Sequence, residues 1–209
     1  MEFEGKLFKE KKIYSQSGQD AFALHYFNNK KNGVFVEIGA ANGIGFSNCY
    51  YLEKELEWTG ICVEPNPDTF THLEKNRTSI CINAAIVDVK GNQKFTVANN
   101  LSGLTQEYDP RHVKRIEKSG VKTREVIVET LVLSDVLEQY GLFYIDYLSI
   151  DTEGNEFKIL KSIDFDRFDI ELLTVENNYR DPKQTEFMIS KGYVLIGKLG
   201  ADDTFSKIR

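Results

Sequence analysis

Proline and tryptophan are scarce in the 209-residue chain, at four and one, and only three cysteines and three histidines occur. Each scarcity narrows the possibilities. With no Pro/Gly-rich linker, repeat or low-complexity tract to divide the sequence, a single domain spanning residues 1–209 is expected. Cys49, Cys62 and Cys81 are odd in number, widely spaced and set among apolar neighbours. That pattern is neither a disulfide framework nor a zinc ligand set, and the three read as free thiols acting as small hydrophobes in a reducing compartment. His25 and His72 lie in helical runs, and no Ser/His/Asp or Cys/His constellation is present. No stretch approaches the roughly 20 apolar residues of a membrane span. Residues 1–12 alternate charge with isolated apolar side chains, unlike a signal peptide. No membrane span and a cytoplasmic location are expected. A net charge of −6 speaks against general nucleic-acid binding. A local exception runs through Arg111, Lys114, Arg115, Lys118, Lys122 and Arg124, opposed only by Glu117. It reads either as a solvated helix or loop, or as a site for an anionic, for example phosphorylated, substrate.

What the chain does have is alternation of short β-rich runs with amphipathic helical runs. Residues 34–38 form a compact strand ending at Gly39. Ser47 can then cap a helix whose Cys49, Leu52 and Leu56 share one face. Residues 61–63 are the next strand, Pro67 suits a first helical position ahead of Phe70 and Leu73, and residues 80–82 make a third strand. This order implies parallel βαβ units with both sheet faces covered. In the middle, residues 94–98 and 126–131 look like strands, whereas 99–122 is polar and unassigned. A helix over 134–139, a strand over 147–150, a helix marked by Phe157 and Leu160, a strand over 172–175 and a helix over 183–190, ended by Gly192, restore the pattern. Strands over 193–196 and 204–208 lie too close in sequence to be parallel and must pair antiparallel. The expected class is α/β and Rossmann-like, a mostly parallel seven-stranded sheet with one antiparallel strand near the C-terminus.

Open α/β sheets bind ligands beyond the carboxyl ends of their strands, and the informative segments fall there. After the first strand comes Glu37-Ile38-Gly39-Ala40-Ala41-Asn42-Gly43-Ile44-Gly45, in which Gly39 and Gly43 permit a tight turn and close backbone approach. The spacing differs from the G-x-G-x-x-G of dinucleotide folds, and Glu37 suits the ammonium of a methionine moiety; an ordinary strand-to-helix turn is the plain alternative. Glu64 closes the second strand, where an acid can accept hydrogen bonds from both ribose hydroxyls, unless it is a surface residue before the Pro65 turn. Asn83 and Ala84 end the third strand, where they can pack against an adenine or simply terminate the strand. Asp151, Glu153 and Glu156 follow the strand over 147–150. Glu156 suits a helix N-terminus, while Asp151, crowded by like charge, suits a general base. Asp151, Glu176 and Asn177 reach one edge as hard oxygen ligands able to hold Mg²⁺ or another divalent cation; solvated strand ends are the alternative. His112, in the basic stretch, can reach a substrate.

Residues 14–20 (Tyr-Ser-Gln-Ser-Gly-Gln-Asp), 34–40 (Val-Phe-Val-Glu-Ile-Gly-Ala), Ser47-Asn48, Trp58-Thr59-Gly60, Glu64-Pro65-Asn66-Pro67, Ser102-Gly103-Leu104 and Ile150-Asp151-Thr152-Glu153-Gly154-Asn155-Glu156 occur in the order, and with the character, of the FkbM methyltransferases. The chain resembles that family from about Tyr14 to Gly192. The resemblance implies a class I methyltransferase fold, S-adenosylmethionine as methyl donor, and an oxygen acceptor on a sugar, polyketide or related metabolite. It further implies that Glu37, Gly39, Ala40, Gly43 and Ser47 form the donor loop, with Glu64 and Pro65 at the ribose and Asp151 and Glu153 beside the reacting centre. Residues 1–30 are then a cap bringing Gln16 and Gln19 over the site, unless Ser17 or Asp20 merely caps a helix. Residues 99–124 become a variable acceptor-side insertion in which Ser102, Arg111 and His112 meet the substrate. Asn42 stands where the family more often has Asp, and Ala41 where it has Asn, which bears on contacts near the methionine end. A nucleotide-dependent oxidoreductase and a non-catalytic S-adenosylmethionine-binding relative are the rival readings. Oligomeric state is left open.

Overall fold

The computed structural model describes residues 13–208; residues 1–12 of the expected cap lie outside them. The chain opens with α1 (Gln19–Tyr26), β1 (Val34–Ile38), α2 (Tyr50–Leu56), β2 (Thr59–Val63), α3 (Pro67–Asn76) and β3 (Ile80–Ile82). Then come β4 (Ala85–Val87), β5 (Gly91–Val97), β6 (Gly103–Leu104), α4 (Pro110–Ser119), β7 (Arg124–Val132) and α5 (Leu133–Gln139). The C-terminal third holds β8 (Tyr144–Ile150), α6 (Glu156–Ser162), β9 (Asp169–Glu176), α7 (Pro182–Ser190), β10 (Tyr193–Leu199) and β11 (Asp202–Lys207). Three of the four prolines stand at a helix start, each directly after an Asn or Asp whose side chain takes the free N–H two residues on: Asn66 before Pro67, Asp109 before Pro110 and Asp181 before Pro182. Proline loses nothing there, since its missing N–H has no intrahelical partner at that position.

The main sheet has seven strands in the order β10-β11-β9-β8-β1-β2-β3. Its pairings are parallel except those of β11, which runs antiparallel to β9 and to β10. The expected sheet is therefore present, with the reversed strand slotted between β9 and β10 rather than lying at the rim. The hairpin loop of Gly200 and Ala201 folds β11 straight back from the edge strand into that slot. Alternation along the central strands feeds two cores. Val36, Ile38, Leu148 and Ile150 pack with Leu133, Leu160 and Met188 on one face. Phe35, Tyr147 and Leu172 pack with Phe22, Leu52 and Trp58 on the other.

A second sheet, not foreseen from the sequence, has the order β4-β7-β5-β6. It encloses a small core of Ala85, Val87, Phe95, Leu104 and Val128. The polar stretch 99–122 contributes β6 and then α4, whose buried His112 and Ile116 lie one turn apart. Among the described residues no helix is long and apolar enough to cross a membrane.

Candidate active site

A cavity of about 860 Å³ opens over the carboxyl ends of β1, β2, β8 and β9 and is walled on its far side by the second sheet. Its floor is set by Gly39. The ends of β1 and β8 are stitched by Asp151 N–H to the Ile38 carbonyl (3.0 Å), and Gly39 N–H donates to the Val63 carbonyl (2.9 Å). Gly39 has φ +86°, and a Cβ there would overlap the Asp151 carbonyl oxygen. The bend that follows is closed by Glu64, whose Oε2 accepts the Ala41 N–H (2.9 Å) while Oε1 accepts that of Asn66 (2.8 Å). Burial pushes the Glu64 carboxyl up to about 7, against the pull of those two N–H groups. Gly39, Glu64 and Pro65 line the cavity as expected.

Other donor-loop expectations are redirected. Glu37 does not face the cavity. Its carboxylate accepts the Ser47 hydroxyl (2.9 Å), the Asn48 N–H (2.5 Å) and Nη1 of the buried Arg77 (2.9 Å). Arg77 also binds Glu53 through Nε at 2.6 Å. Glu37 is thus consumed by an internal ion-pair network, and Ser47, besides donating to it, accepts the Tyr50 N–H (2.9 Å) at the first residue of α2, where Cys49 rather than Ser47 takes the N-cap position. Ala40 is buried, and Gly43 abuts Leu73 and Arg77 behind the bend; neither lines the cavity. Asn83 donates to the backbone carbonyls of Glu64 (2.8 Å) and Pro65 (3.3 Å), and Ala84 is fully buried, so Ala85 and Ile86 take the wall positions expected of that pair. The slip arises because β4 begins two residues after β3, turning the presumed strand terminus into a junction between sheets.

At the ends of β8 and β9, carboxyl oxygens of Asp151, Glu153 and Glu176 lie within 4.8 Å of one another. Burial, reinforced by Asp202 and Glu153, drives the Asp151 carboxyl well above the usual range; burial and then Asp151 do the same for Glu176. Glu153 is pushed up to about 7 by burial, which Arg115 opposes. Two like charges this close hold a proton between them more tightly than either would alone. Glu156 serves the turn, its Oε1 accepting the N–H groups of Thr152 (3.0 Å) and Gly154 (2.9 Å). Asn177 is turned away: its amide spans Asp203 Oδ2 (2.7 Å) and the backbone of Asp181. As a candidate metal ligand it is replaced by Glu153.

On the acceptor side Ser102 lines the cavity, with its hydroxyl donating to the Asn99 carbonyl (2.6 Å) and accepting the Ala98 N–H (2.8 Å). His112 lies on a helix rather than a loop, buried against the Tyr108 ring. Its Nε2 is 3.1 Å from the Leu101 carbonyl and its Nδ1 3.3 Å from Glu153. It backs Glu153 and does not line the cavity. Arg111 faces away, clamping Asp109 (2.9 and 2.8 Å) and lying 3.8 Å over the Tyr179 ring. Of the basic run, Arg115 alone reaches the cavity, 3.4 Å from Glu153, and Arg124 pairs with Asp68. Gln16, Ser17 and Gln19 line the opposite rim, where Gln19 Nε2 donates to Asp202 (2.9 Å). Asp202, with its carboxyl raised to about 6 chiefly by burial, and Arg77 were missed in the sequence. An acid pair opening the last strand and an Arg just after a helix carry no local signal.

An FkbM methyltransferase domain matches residues 37–195. Methyltransferase sdnD of Sordaria araneosa is 28% identical over 169 residues, covering 66% of this chain and 63% of the relative, so the chain spans less than two thirds of that relative's length. The crystal structure of the methyltransferase FkbM from Methylobacillus flagellatus KT superposes with a TM-score of 0.52 at 10% identity, over 85% of this chain and 44% of that one. The precorrin-6y C5,15-methyltransferase from Geobacter metallireducens GS-15 gives 0.49 at 14% identity, over 95% and 92%. The matched segment begins at the Glu37 bend, ends within β10, and takes in Glu64, Asp151, Glu153 and Glu176. The chain belongs to the FkbM methyltransferase family.

Proposed function

We propose that the chain transfers the methyl group of S-adenosylmethionine to a hydroxyl oxygen of a sugar, glycoconjugate or related small metabolite. The observation that carries this reading is the convergence of the Gly39 bend, Glu64 and the Asp151–Glu153–Glu176 cluster on one cavity. The residues fit the donor. The Gly39 bend leaves backbone bare of side chains, and Glu64, pinned by two N–H groups, keeps lone pairs for ribose hydroxyls. At about 860 Å³ the cavity is near the top of the roughly 300–1,000 Å³ range of small-molecule sites, which supports room for an acceptor as well. Asn99, Asn100, Ser102 and Asn178 on the acceptor side suit a polyhydroxylated partner. The three unpaired cysteines accord with a reducing, cytoplasmic setting.

Bound S-adenosylmethionine supplies an electrophilic methyl on a sulfonium. An alcohol is a weak nucleophile near neutral pH, so the chain must take its proton. Asp151 and Glu176 receive the hydroxyl proton as the acceptor oxygen takes the methyl, the sulfur keeping the electron pair of the broken S–C bond and leaving as S-adenosylhomocysteine. Holding the partners in line contributes roughly 7–11 kcal/mol to lowering the barrier. A second reading rests on the three acid oxygens within 4.8 Å: Asp151, Glu153 and Glu176 would hold a divalent cation that polarises the acceptor oxygen. Turnover unaffected by EDTA, with no MgCl₂-dependent rise in Tm, removes that reading.

The test is incubation with methyl-labelled donor and a panel of sugars, glycolipids and nucleotides, read by mass spectrometry. Asp151→Asn should abolish transfer while S-adenosylhomocysteine still binds by calorimetry; full transfer by that variant removes Asp151 from the mechanism. A thermal shift with NADH but none with S-adenosylhomocysteine would favour an oxidoreductase instead, and no shift with either a non-catalytic relative.

A further inference from the structure

We propose that Asp202, at the start of β11, is the carboxyl that receives the α-ammonium of the donor's amino-acid tail, with Gln19 of α1 holding it in position. The inference rests on S-adenosylmethionine being the donor. That molecule ends in a zwitterion, and an ammonium drawn into a cavity needs a counter-charge, because an unpaired buried charge is strongly disfavoured.

The residue at the position expected to serve, Glu37, is engaged by Arg77, Ser47 and Asn48 behind the cavity wall. The acids that do line the cavity are Glu64, Asp68, Asp151, Glu153, Glu176 and Asp202. Glu64 is fastened to the bend after β1 through the Ala41 N–H. Asp68 is exposed and paired with Arg124. Glu153 already faces Arg115 and Asn178, and Glu176 accepts from Asn178. Asp151 lies within 4.8 Å of both these acids and is assigned above to the acceptor proton. Asp202 is different. It is 3% exposed, and Oδ2 accepts a single bond from Gln19. Among the described residues no hydrogen-bond donor is placed on Oδ1.

The surroundings aim this carboxyl at the cavity. Strand alternation sends the neighbouring Asp203 to the opposite face, toward Asn177 and Lys198. That leaves Asp202 beside Gln16, Ser17 and Gln19 on the cavity rim. Gln19 cannot swing freely, because its Oε1 accepts the Ser17 N–H (2.8 Å) while Nε2 donates to Asp202. Ser17 in turn packs on the hairpin: Gly200 has φ +59°, and a Cβ there would run into the Ser17 side chain. Cap and hairpin therefore form one clamp with a single unpaired carboxyl oxygen facing inward.

The test is calorimetry on the full chain with two ligands, S-adenosylhomocysteine and 5′-methylthioadenosine, which share the adenosine and thioether but differ in the amino-acid tail. Asp202→Asn keeps the size and the Gln19 bond. It should weaken S-adenosylhomocysteine by about 30-fold or more and leave 5′-methylthioadenosine within twofold, which also shows that the pocket is folded. Gln19→Ala, which retains the carboxyl and frees it, should weaken S-adenosylhomocysteine by roughly three- to tenfold and the truncated ligand not at all. Equal losses for both ligands in Asp202→Asn, or no loss for S-adenosylhomocysteine, overturn the assignment while the donor reading stands. A wild-type chain that binds neither ligand sinks the donor reading, and this assignment with it.

Discussion

Gly18 and Gly39 offer a matched pair for measuring how tightly the ends of β1 and β8 are held together. Both sit in the left-handed region, at φ +85° and +86°, so alanine at either position meets the same backbone penalty of roughly 1–2 kcal/mol. They differ in space. A Cβ on Gly18 meets nothing within 4 Å, whereas one on Gly39 lands on the Asp151 carbonyl oxygen, which is backbone and cannot rotate away. Relief requires β8 to move off β1 and weaken the Asp151 N–H bond to Ile38, a further loss of about 1 kcal/mol, with disturbed packing of Ile38 and Ile150 adding about as much again. The expected costs are about 1–2 kcal/mol for Gly18→Ala and about 3–4 kcal/mol for Gly39→Ala. In a chain of this size these correspond to Tm decreases of roughly 4 and 10 °C. Urea unfolding measures the difference, and S-adenosylhomocysteine calorimetry should show that only the Gly39 variant loses affinity. Equal destabilisation of the two variants, with affinity intact in both, would mean that the close approach of β1 and β8 is not what the glycine serves.

Arg77→Met should cost about 3–5 kcal/mol in urea unfolding, because it leaves Glu37 a buried charge with no cationic partner and Glu53 with Lys54 alone. Arg77→Lys should restore little, since one ammonium cannot reproduce a planar fork that reaches both acids through Nε and Nη1; a loss below 1 kcal/mol in Arg77→Met would refute the network. For Glu64 the folded carboxyl, near 7, lies above its ordinary 4.5. Its contribution to stability is therefore fully present below about pH 4.5 and is lost as pH rises through 7, in all about 3 kcal/mol. Glu64→Gln removes that loss, so urea unfolding at pH 4.5 and pH 8 should show the variant gaining on wild type by about this amount at the higher pH; parallel profiles would contradict the burial of that carboxyl.

The main sheet was legible because its strands announce themselves twice, by apolar runs such as Phe35-Val36 and Leu172-Leu173 and by punctuation such as Gly39, Pro67 and Gly192. Of the second sheet, β5 and β7 were expected over 94–98 and 126–131, but β4 and β6 were not. β4 follows β3 after two residues, and β6 is two residues long, shorter than any period can register. At the site, Gly39, Glu64, Asp151 and Glu176 were expected at the cavity by one rule, that residues at the carboxyl end of a parallel strand face the ligand, and Pro65 and Glu153 by the family resemblance. The rule gives an address but not a partner. Glu37 has the right address and is spent on an arginine 40 positions away, whereas Asp202 enters through the reversed strand, where its address is a hairpin start and the rule does not apply.

Unequal construction of the two sheets leads to a last expectation about motion. Among the described residues, twenty-two buried side chains form the larger core beneath β1, β8 and β9, against five under the second sheet. β6, at the edge, pairs with β5 at Phe95–Leu104 and Thr96–Gly103, extended by the Thr105 N–H to the Lys94 carbonyl (3.0 Å), whereas β5 itself pairs with β7 along its whole length. Lifting β6 and the 98–102 turn away from β5 exposes little apolar surface and breaks few bonds, so its free energy should fall well below that of global unfolding. Hydrogen exchange followed by mass spectrometry should show peptides over residues 98–104 exchanging far sooner than those over 144–150. S-adenosylhomocysteine should slow exchange at 39–41 and leave 98–104 nearly unchanged, because the donor is proposed to contact the main sheet while Asn99, Asn100 and Ser102 face the acceptor side. Equal protection of the two segments would show that β6 shares the cooperativity of the main core. If the difference holds, the acceptor wall is the less stable part of the fold, and it can yield to admit an acceptor while the strand ends that position the donor stay fixed.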